Sequence, residues 1–210
     1  MPDVIGWIAA HPKVFMQAAN QHIVLSVTAL IAALAVALPL ALAITRSEKG
    51  ANAAIAGVNV LRTIPSLALL VIMLPFLGTG FVPAVVALTL YGLPAILINT
   101  YTGLREVDRD IVEAARGQGM TDAGIMRRIE IPLALPVIFA GIRTAAVQIV
   151  SAATLAAFIG GGGLGELITA GMGVLDMPQL VVGGLAVALL AVAMFSAMVM
   201  CGNRPTCWMT

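Results

Sequence analysis

Few side chains in this sequence have the means to do chemistry, and they fall into three groups. The first is an island of charge at residues 105–136, which holds 11 of the chain's 21 charged residues between two long apolar runs. At its centre stands Glu113-Ala114-Ala115, followed after three residues by Gly119 and after nine more by Ile129-x-Ile131-Pro132. The second group is a pair of polar stripes inside apolar runs. Asn59, Arg62, Thr63 and Ser66 stand at offsets 0, 3, 4 and 7, which is one face of a helix. Thr144, Gln148 and Ser151 repeat that spacing, with Thr154 nearby. The third group is a glycine run: Gly160, Gly161, Gly162, Gly163 and Gly165.

The chemistry open to these residues is narrow. Lys13 and Lys49 are the only lysines, and neither follows a Gly-rich phosphate-binding pattern, so any ATP must be bound by another chain. There is no Gly-x-Ser-x-Gly and no metal-spaced cluster, so no catalytic residue, metal or cofactor is expected. His11 and His22 read as surface residues. Gly160-x-Gly162-x-x-Gly165 formally matches a dinucleotide fingerprint, but it follows an apolar run where that motif needs a β-strand. The glycines are read sterically instead: they let the backbone turn sharply and let another surface come close. Polar side chains at membrane depth are costly unless they face protein or water. The two stripes therefore read as glue between helices or as the lining of a path, and together they favour the path: Asn59, Thr63, Ser66, Gln148, Ser151 and Thr154. Arg62 and Arg143 read as snorkelling towards the water on the side of the charged island.

A membrane must surround most of this. Hydrophobic residues make up 60% of the 210-residue chain and charged ones 10%, against roughly 25% charged in a soluble domain. The mean hydropathy is +1.05. Net charge is +1, so nucleic acid is not an expected partner. Cys201 and Cys207, both near the C-terminus, support no disulfide framework. Residues 1–22 lack a basic leader region and read as an interfacial segment (1–21), with the first apolar run acting as its own insertion signal. Five spans follow: 22–44, 51–77 with a kink at Pro65, 81–104, 133–159 and 179–200. Residues 160–178 read as a loop and 202–210 as a tail.

Basic residues set the orientation. Arg46, Lys49, Arg105, Arg109, Arg116, Arg127, Arg128 and Arg204 fall in one set of loops, and only Lys13 in the other. The first set is therefore expected in the cytoplasm, with the N-terminus and the glycine loop outside and the C-terminus inside. Within the charged island two short helices are predicted. One starts at Asp110, whose carboxylate caps it in a box with Glu113, and carries Ile111, Ala114 and Ala115 on one side before stopping at Gly117 or Gly119. The other starts at Thr121-Asp122, shows Ile125, Met126 and Ile129 on one face, and ends before Pro132.

The spacing of Glu113-Ala114-Ala115, Gly119 and Ile129-x-Ile131-Pro132 resembles the EAA loop of type I ABC importer permeases, with Ile131 where that pattern has Leu. The resemblance covers residues 22–200, with 22–201 as the transmembrane domain. It implies an all-α membrane fold of about five spans, in which Glu113, Ala114, Ala115, Gly119, Ile129 and Pro132 belong to the coupling loop that docks on a cytoplasmic ABC ATPase. Residues 158–168 resemble the outer loop after the fourth span of permeases for methionine and osmoprotectants, near the external gate and the docked binding protein. With Arg62-Thr-Ile-Pro-Ser-Leu-Ala-Leu-Leu70, these motifs look most like permeases for glycine betaine, carnitine or choline. The partners so implied are an ATPase dimer, a second permease identical or paralogous, an extracytoplasmic substrate-binding protein and the lipid of a bacterial inner membrane. Such a subunit is not itself an enzyme.

A methionine permease is the rival within the family. Outside it stands an ion-coupled secondary transporter, which usually places carboxylates at mid-membrane. All ten acidic residues here read as loop or terminal ones, which argues against ion coupling. A purely structural membrane subunit would leave the docking pattern unexplained. The ending Cys201-Gly-Asn-Arg-Pro departs from related permeases, which finish the last span with several basic residues.

Overall fold

The computed structural model describes residues 3–202; residues 203–210 of the expected tail, Arg204 and Cys207 among them, lie outside. Every element found among the described residues is helical: α1 (Val4–Ala10), α2 (Pro12–Ile44), α3 (Glu48–Thr63), α4 (Ser66–Leu77), α5 (Phe81–Arg105), α6 (Arg109–Gly117), α7 (Asp122–Ile125), α8 (Ile131–Ala152), α9 (Leu164–Val174) and α10 (Met177–Gly202). A π turn (Met126–Glu130) joins α7 to α8, and a 3-10 helix (Ala153–Ile159) continues α8. Four helices are long and apolar enough to cross a membrane, or five if α3 and α4 count as one bent span.

The core is the crossing of α2, α5 and α8. Lipid is as apolar as leucine, so helices in it associate through close packing of small residues. On α2, Ala29, Ala33, Ala37 and Ala41 repeat every fourth residue, and all four are fully buried. On α5 and α8 the glycines do the same work: a Cβ on Gly92 would lie 2.5 Å from Ile149 Cδ1, and one on Gly141 would lie 2.6 Å from Asn99 Cβ. Pro39, Pro94 and Pro136 sit inside these helices without ending them, since neighbours can compensate the freed carbonyls. Leu185, Leu189 and Val192 on α10 are exposed, as a surface solvated by lipid or another subunit allows.

Several boundaries differ from those expected. The helix α2 begins at Pro12, ten residues before the anticipated start at His22, and runs without a break through it. Pro65 does more than kink the second span. Ile64 is extended, as a residue before proline prefers, and α3 meets α4 at 99°. Pro132, conversely, ends nothing. The π turn shifts the ladder, so that Ile131 N–H bonds Met126 O, five residues back. That wider turn takes up the missing N–H and ring of the proline, and one helical run extends over Asp122–Ile159. Finally, most of the expected loop 160–178 is helical, as α9 and the start of α10.

Candidate functional site: a docking handle, polar faces and a glycine knot

The charged island folds as a helical handle at one end of the bundle. Asp108 caps α6 by accepting from Asp110 N–H at 2.9 Å, so the cap stands two residues earlier than expected and no box with Glu113 forms. The helix closes with Met120 N–H on Ala115 O (3.2 Å) and Gly119 N–H on Arg116 O (3.0 Å). This pair defines a Schellman end, and it needs the left-handed residue that Gly119 supplies at φ +82°. Thr121 caps α7 through Gly124 N–H at 3.3 Å, as predicted. Arg116 and Asp122 then tie the two helices together at 3.1 Å. Both side chains are well exposed, so this pair contributes under about 1 kcal/mol and serves mainly to set direction.

Only part of the handle is held by its own chain. Ala115 and Ile125 are buried at its base, and Ile129 and Met126 are half-buried. Glu113, Ala114, Gly119 and Pro132 are exposed. Ile111 also points outwards, at 44% exposure, so Ala114 and Ile111 do not share the buried side of Ala115 as expected. A nine-residue helix with an outward apolar face and little of its own core needs another surface to cover it. Between the handle and the ends of α2 and α5 lies a cleft of about 620 Å³, whose walls include Arg46, Arg105, Arg109 and Glu113.

The first polar stripe is divided between two helices. The 99° bend puts Ser66 on a different axis from Asn59, Arg62 and Thr63, so the single face read from their spacing does not exist. Asn59, Arg62 and Thr63 are exposed on α3, and Ser66 is half-buried on α4. Thr63 Oγ1 donates to Val60 O at 2.7 Å. On α8 the spacing holds: Thr144 and Ser151 are exposed and Gln148 is half-buried. Thr144 satisfies itself on Ala140 O at 2.9 Å. Thr154 falls in the 3-10 segment, half-buried and close to Gly165. Arg143 lies over the ring of Phe195 on α10, 5.6 Å from its centroid, a cation–π contact that the sequence did not disclose.

The glycine run is a knot inside the subunit. Gly160, Gly162 and Gly163 have φ of +73°, +79° and +91°. Only Gly160 is exposed; Gly161, Gly162, Gly163 and Gly165 are buried. A Cβ on Gly161 would sit 2.9 Å from both Ala156 Cβ and Ala84 Cβ, so the close approach these glycines permit is to their own chain. Gly80 N–H bonds Ile159 O at 2.8 Å, tying the start of α5 to the end of the 3-10 helix.

Two residues passed over in the sequence hold this knot from α2. Gln21 Oε1 accepts from Gly163 N–H at 3.2 Å. His22 is not a surface residue: it is fully buried, with Nε2 3.0 Å from Val150 O. A carbonyl only accepts, so Nε2 must carry the proton. Val150 lies where α8 gives way to the 3-10 helix, and there Ala153 N–H turns to Ile149 O and Ser151 O. Nδ1 of His22 and Oγ of Ser26, one turn on, are buried without a partner. His11, by contrast, is exposed and stacks on Trp7. Among the described residues no group of three or more His, Cys, Asp or Glu is placed to hold a metal.

This helical fold has counterparts among solved structures of importers. The chain superposes with a TM-score of 0.81 on a chain of the MetNI methionine ABC transporter in inward-facing conformations, at 22% identity, covering 97% of this chain and 100% of that one. It reaches the same TM-score on a chain of an amino acid ABC transporter crystallised with histidines, at 20% identity over 97% and 99% of the two chains. At such identities the likeness shows the fold. Residues 29–204 match the family described as the binding-protein-dependent transport system inner membrane component, and the chain belongs to that family. Relatives include the choline transport system permease protein OpuBB of Bacillus subtilis (strain 168), 44% identical over 88% of this chain and 84% of the relative. The glycine betaine/carnitine/choline transport system permease protein OpuCB of the same organism is 47% identical over 79% and 76%. The osmoprotectant import permease protein OsmW of Salmonella typhimurium (strain LT2) is 41% identical over 91% and 92%. The chain is thus a multi-pass permease subunit of an ABC importer in the inner membrane, working with ATPase and substrate-binding partners.

Proposed function

We propose that this permease passes a quaternary-ammonium osmoprotectant such as choline, glycine betaine or carnitine, by alternating access in a dimer of permease subunits. The observation that carries the solute class is the 44% identity, over 184 residues, to a choline permease. The handle end faces the cytoplasm, where α6 offers Glu113, Ala114 and Ile111 to the ATPase. The glycine knot lies at the external gate beside the binding protein. The polar face of α8 looks out of the subunit, towards the path shared with the second copy.

Recognition of the solute is delegated to the binding protein. A trimethylammonium group is best held by several aromatic faces at once. Tyr91 and Tyr101 lie on the same helix, ten residues apart, which is about 15 Å along its axis. Both pack against the hydrophobic core, so the two tyrosines of one subunit do not close a cage around a cation. Proteoliposomes with the ATPase and binding protein should take up radiolabelled choline or glycine betaine, and the permease alone should bind neither tightly. Uptake of methionine with no response to quaternary ammonium solutes would overturn the reading.

The path makes a separate prediction. Gln148→Leu and Ser151→Leu should each cut uptake about tenfold or more, the cost of 1–3 kcal/mol for polar groups left unmatched along the route. Assembly and unstimulated ATP hydrolysis should stay near wild type. Dissociation of the complex by either substitution would make the α8 face an adhesive surface instead.

A further inference from the structure

Beside the glycine knot the surface carries a small notch of about 240 Å³, between the N-terminal part of α2, α9 and α10. Its polar walls are Gln17, Gln21, Glu166 and Gln179, over an apolar floor that includes Ala18 and Leu167. Glu166 is the one charged residue lining it, and its side chain is exposed. One carboxylate and the carbonyl oxygens of three carboxamides offer acceptors to an ammonium or guanidinium head, with an apolar floor for its methylene stem.

Gln21 belongs to two structures at once. It lines the notch, and its Oε1 is also the acceptor that holds Gly163 N–H at 3.2 Å. A Cβ on Gly162 would lie 2.9 Å from that same oxygen, so the amide sits directly over the left-handed turn. His22, the next residue, holds the end of α8 through Val150 O at 3.0 Å. The pair is therefore a latch: adjacent residues of one helix grip the two ends of the 3-10 and glycine segment.

We propose that the notch receives a basic side chain of the docked binding protein between Glu166 and Gln21, and that its insertion draws Gln21 off Gly163 and releases the glycine knot. A cation brought beside Glu166 competes for Gln21 Oε1 with a stronger, charge-assisted bond than the neutral one to Gly163 N–H. Once that bond is lost, the four consecutive glycines 160–163, three of them at positive φ, lose the side-chain hydrogen bond that ties them to α2. Docking is thereby converted into freedom of the gate segment. The inference rests on the reading of this end as external.

Reconstituted complex, ATPase and binding protein test it directly. Glu166→Gln, which removes the charge without supplying a cation of its own, should raise the concentration of binding protein needed for half-maximal ATPase stimulation several-fold. Gln21→Leu should do the opposite, raising unstimulated hydrolysis several-fold and lessening the dependence on binding protein. His22→Gln, which keeps a donor near the position of Nε2, should behave as wild type, whereas His22→Leu should loosen the knot as Gln21→Leu does. If His22→Leu fails to assemble, the Gln21 and Glu166 variants decide. Wild-type dependence on binding protein in Glu166→Gln, or wild-type unstimulated hydrolysis in Gln21→Leu, overturns the latch. A wild-type complex that shows no stimulation by any binding protein would instead overturn the proposed function itself.

Discussion

Gly119→Leu and Glu113→Lys are each expected to leave the subunit folded and inserted while cutting uptake and binding-protein-stimulated ATP hydrolysis by about tenfold or more. At Gly119 the cause is backbone geometry. The residue sits at φ +82°, where a side chain costs on the order of 1 kcal/mol or more, and the Schellman end of α6 depends on that conformation. A Cβ there meets nothing within 4 Å, so the fold itself raises no steric objection. The leucine projects from the handle into the open space that the ATPase is proposed to fill, and relief of the strain is expected to reorient α6. At Glu113 the cause is charge reversal on an exposed face beside Ala114 and Ile111. Co-purification of the ATPase, solute uptake and stimulated hydrolysis give three readouts for each variant. Wild-type values in all three would remove the coupling role from the handle.

Much of this handle was legible in the sequence because its signals are local. Thr121 as a cap and Gly119 as a left-handed helix end depend on a few neighbouring residues, and both are found where the spacing places them. The number of apolar runs is equally local, and it matches the four or five helices able to cross a membrane. The displaced boundaries have a different origin. Asp108 outcompetes Asp110 for the cap, and both are acidic residues with nothing in the sequence to rank them. Pro65 and Pro132 look alike as punctuation, yet one makes a 99° bend and the other is absorbed by a π turn. The ladder widens to pass Pro132, whereas the extended Ile64 breaks it before Pro65.

The latch residues were illegible for a stronger reason. His22 bonds Val150 across 128 positions and Gln21 bonds Gly163 across 142, so neither has a partner that spacing could disclose. A histidine at the edge of an apolar run resembles an interfacial residue, and only the folded chain shows it fully buried. The four-residue period of Ala29, Ala33, Ala37 and Ala41, by contrast, was present in the sequence as a helix-packing signal. Polarity drew attention to the stripes, whereas in a membrane smallness marks the contact faces.

That rule separates two substitutions of the same kind. Gly141→Leu should abolish accumulation of folded permease, and Gly184→Leu should leave it near wild type. At Gly141 a Cβ would stand 2.6 Å from Asn99 Cβ and 2.9 Å from Ala95 O, on the helix that α8 crosses. Asn99 is already folded back, with Nδ2 donating to Ala95 O at 2.7 Å, so neither neighbour is the free end of a flexible chain. The helices must separate, and forcing extra methylenes into such a contact costs about 1–3 kcal/mol even where the site can adapt. Here separation also strips the contacts around Gly92 and Ile149 further along the same crossing. At Gly184, exposed on α10, a Cβ meets nothing within 4 Å, and added leucine faces the apolar surroundings that Leu185 and Leu189 already face. Size-exclusion profiles in detergent and thermal unfolding midpoints of the two variants read the difference. A Gly141→Leu protein with the wild-type profile and midpoint would mean that α5 and α8 do not cross as closely as this packing requires.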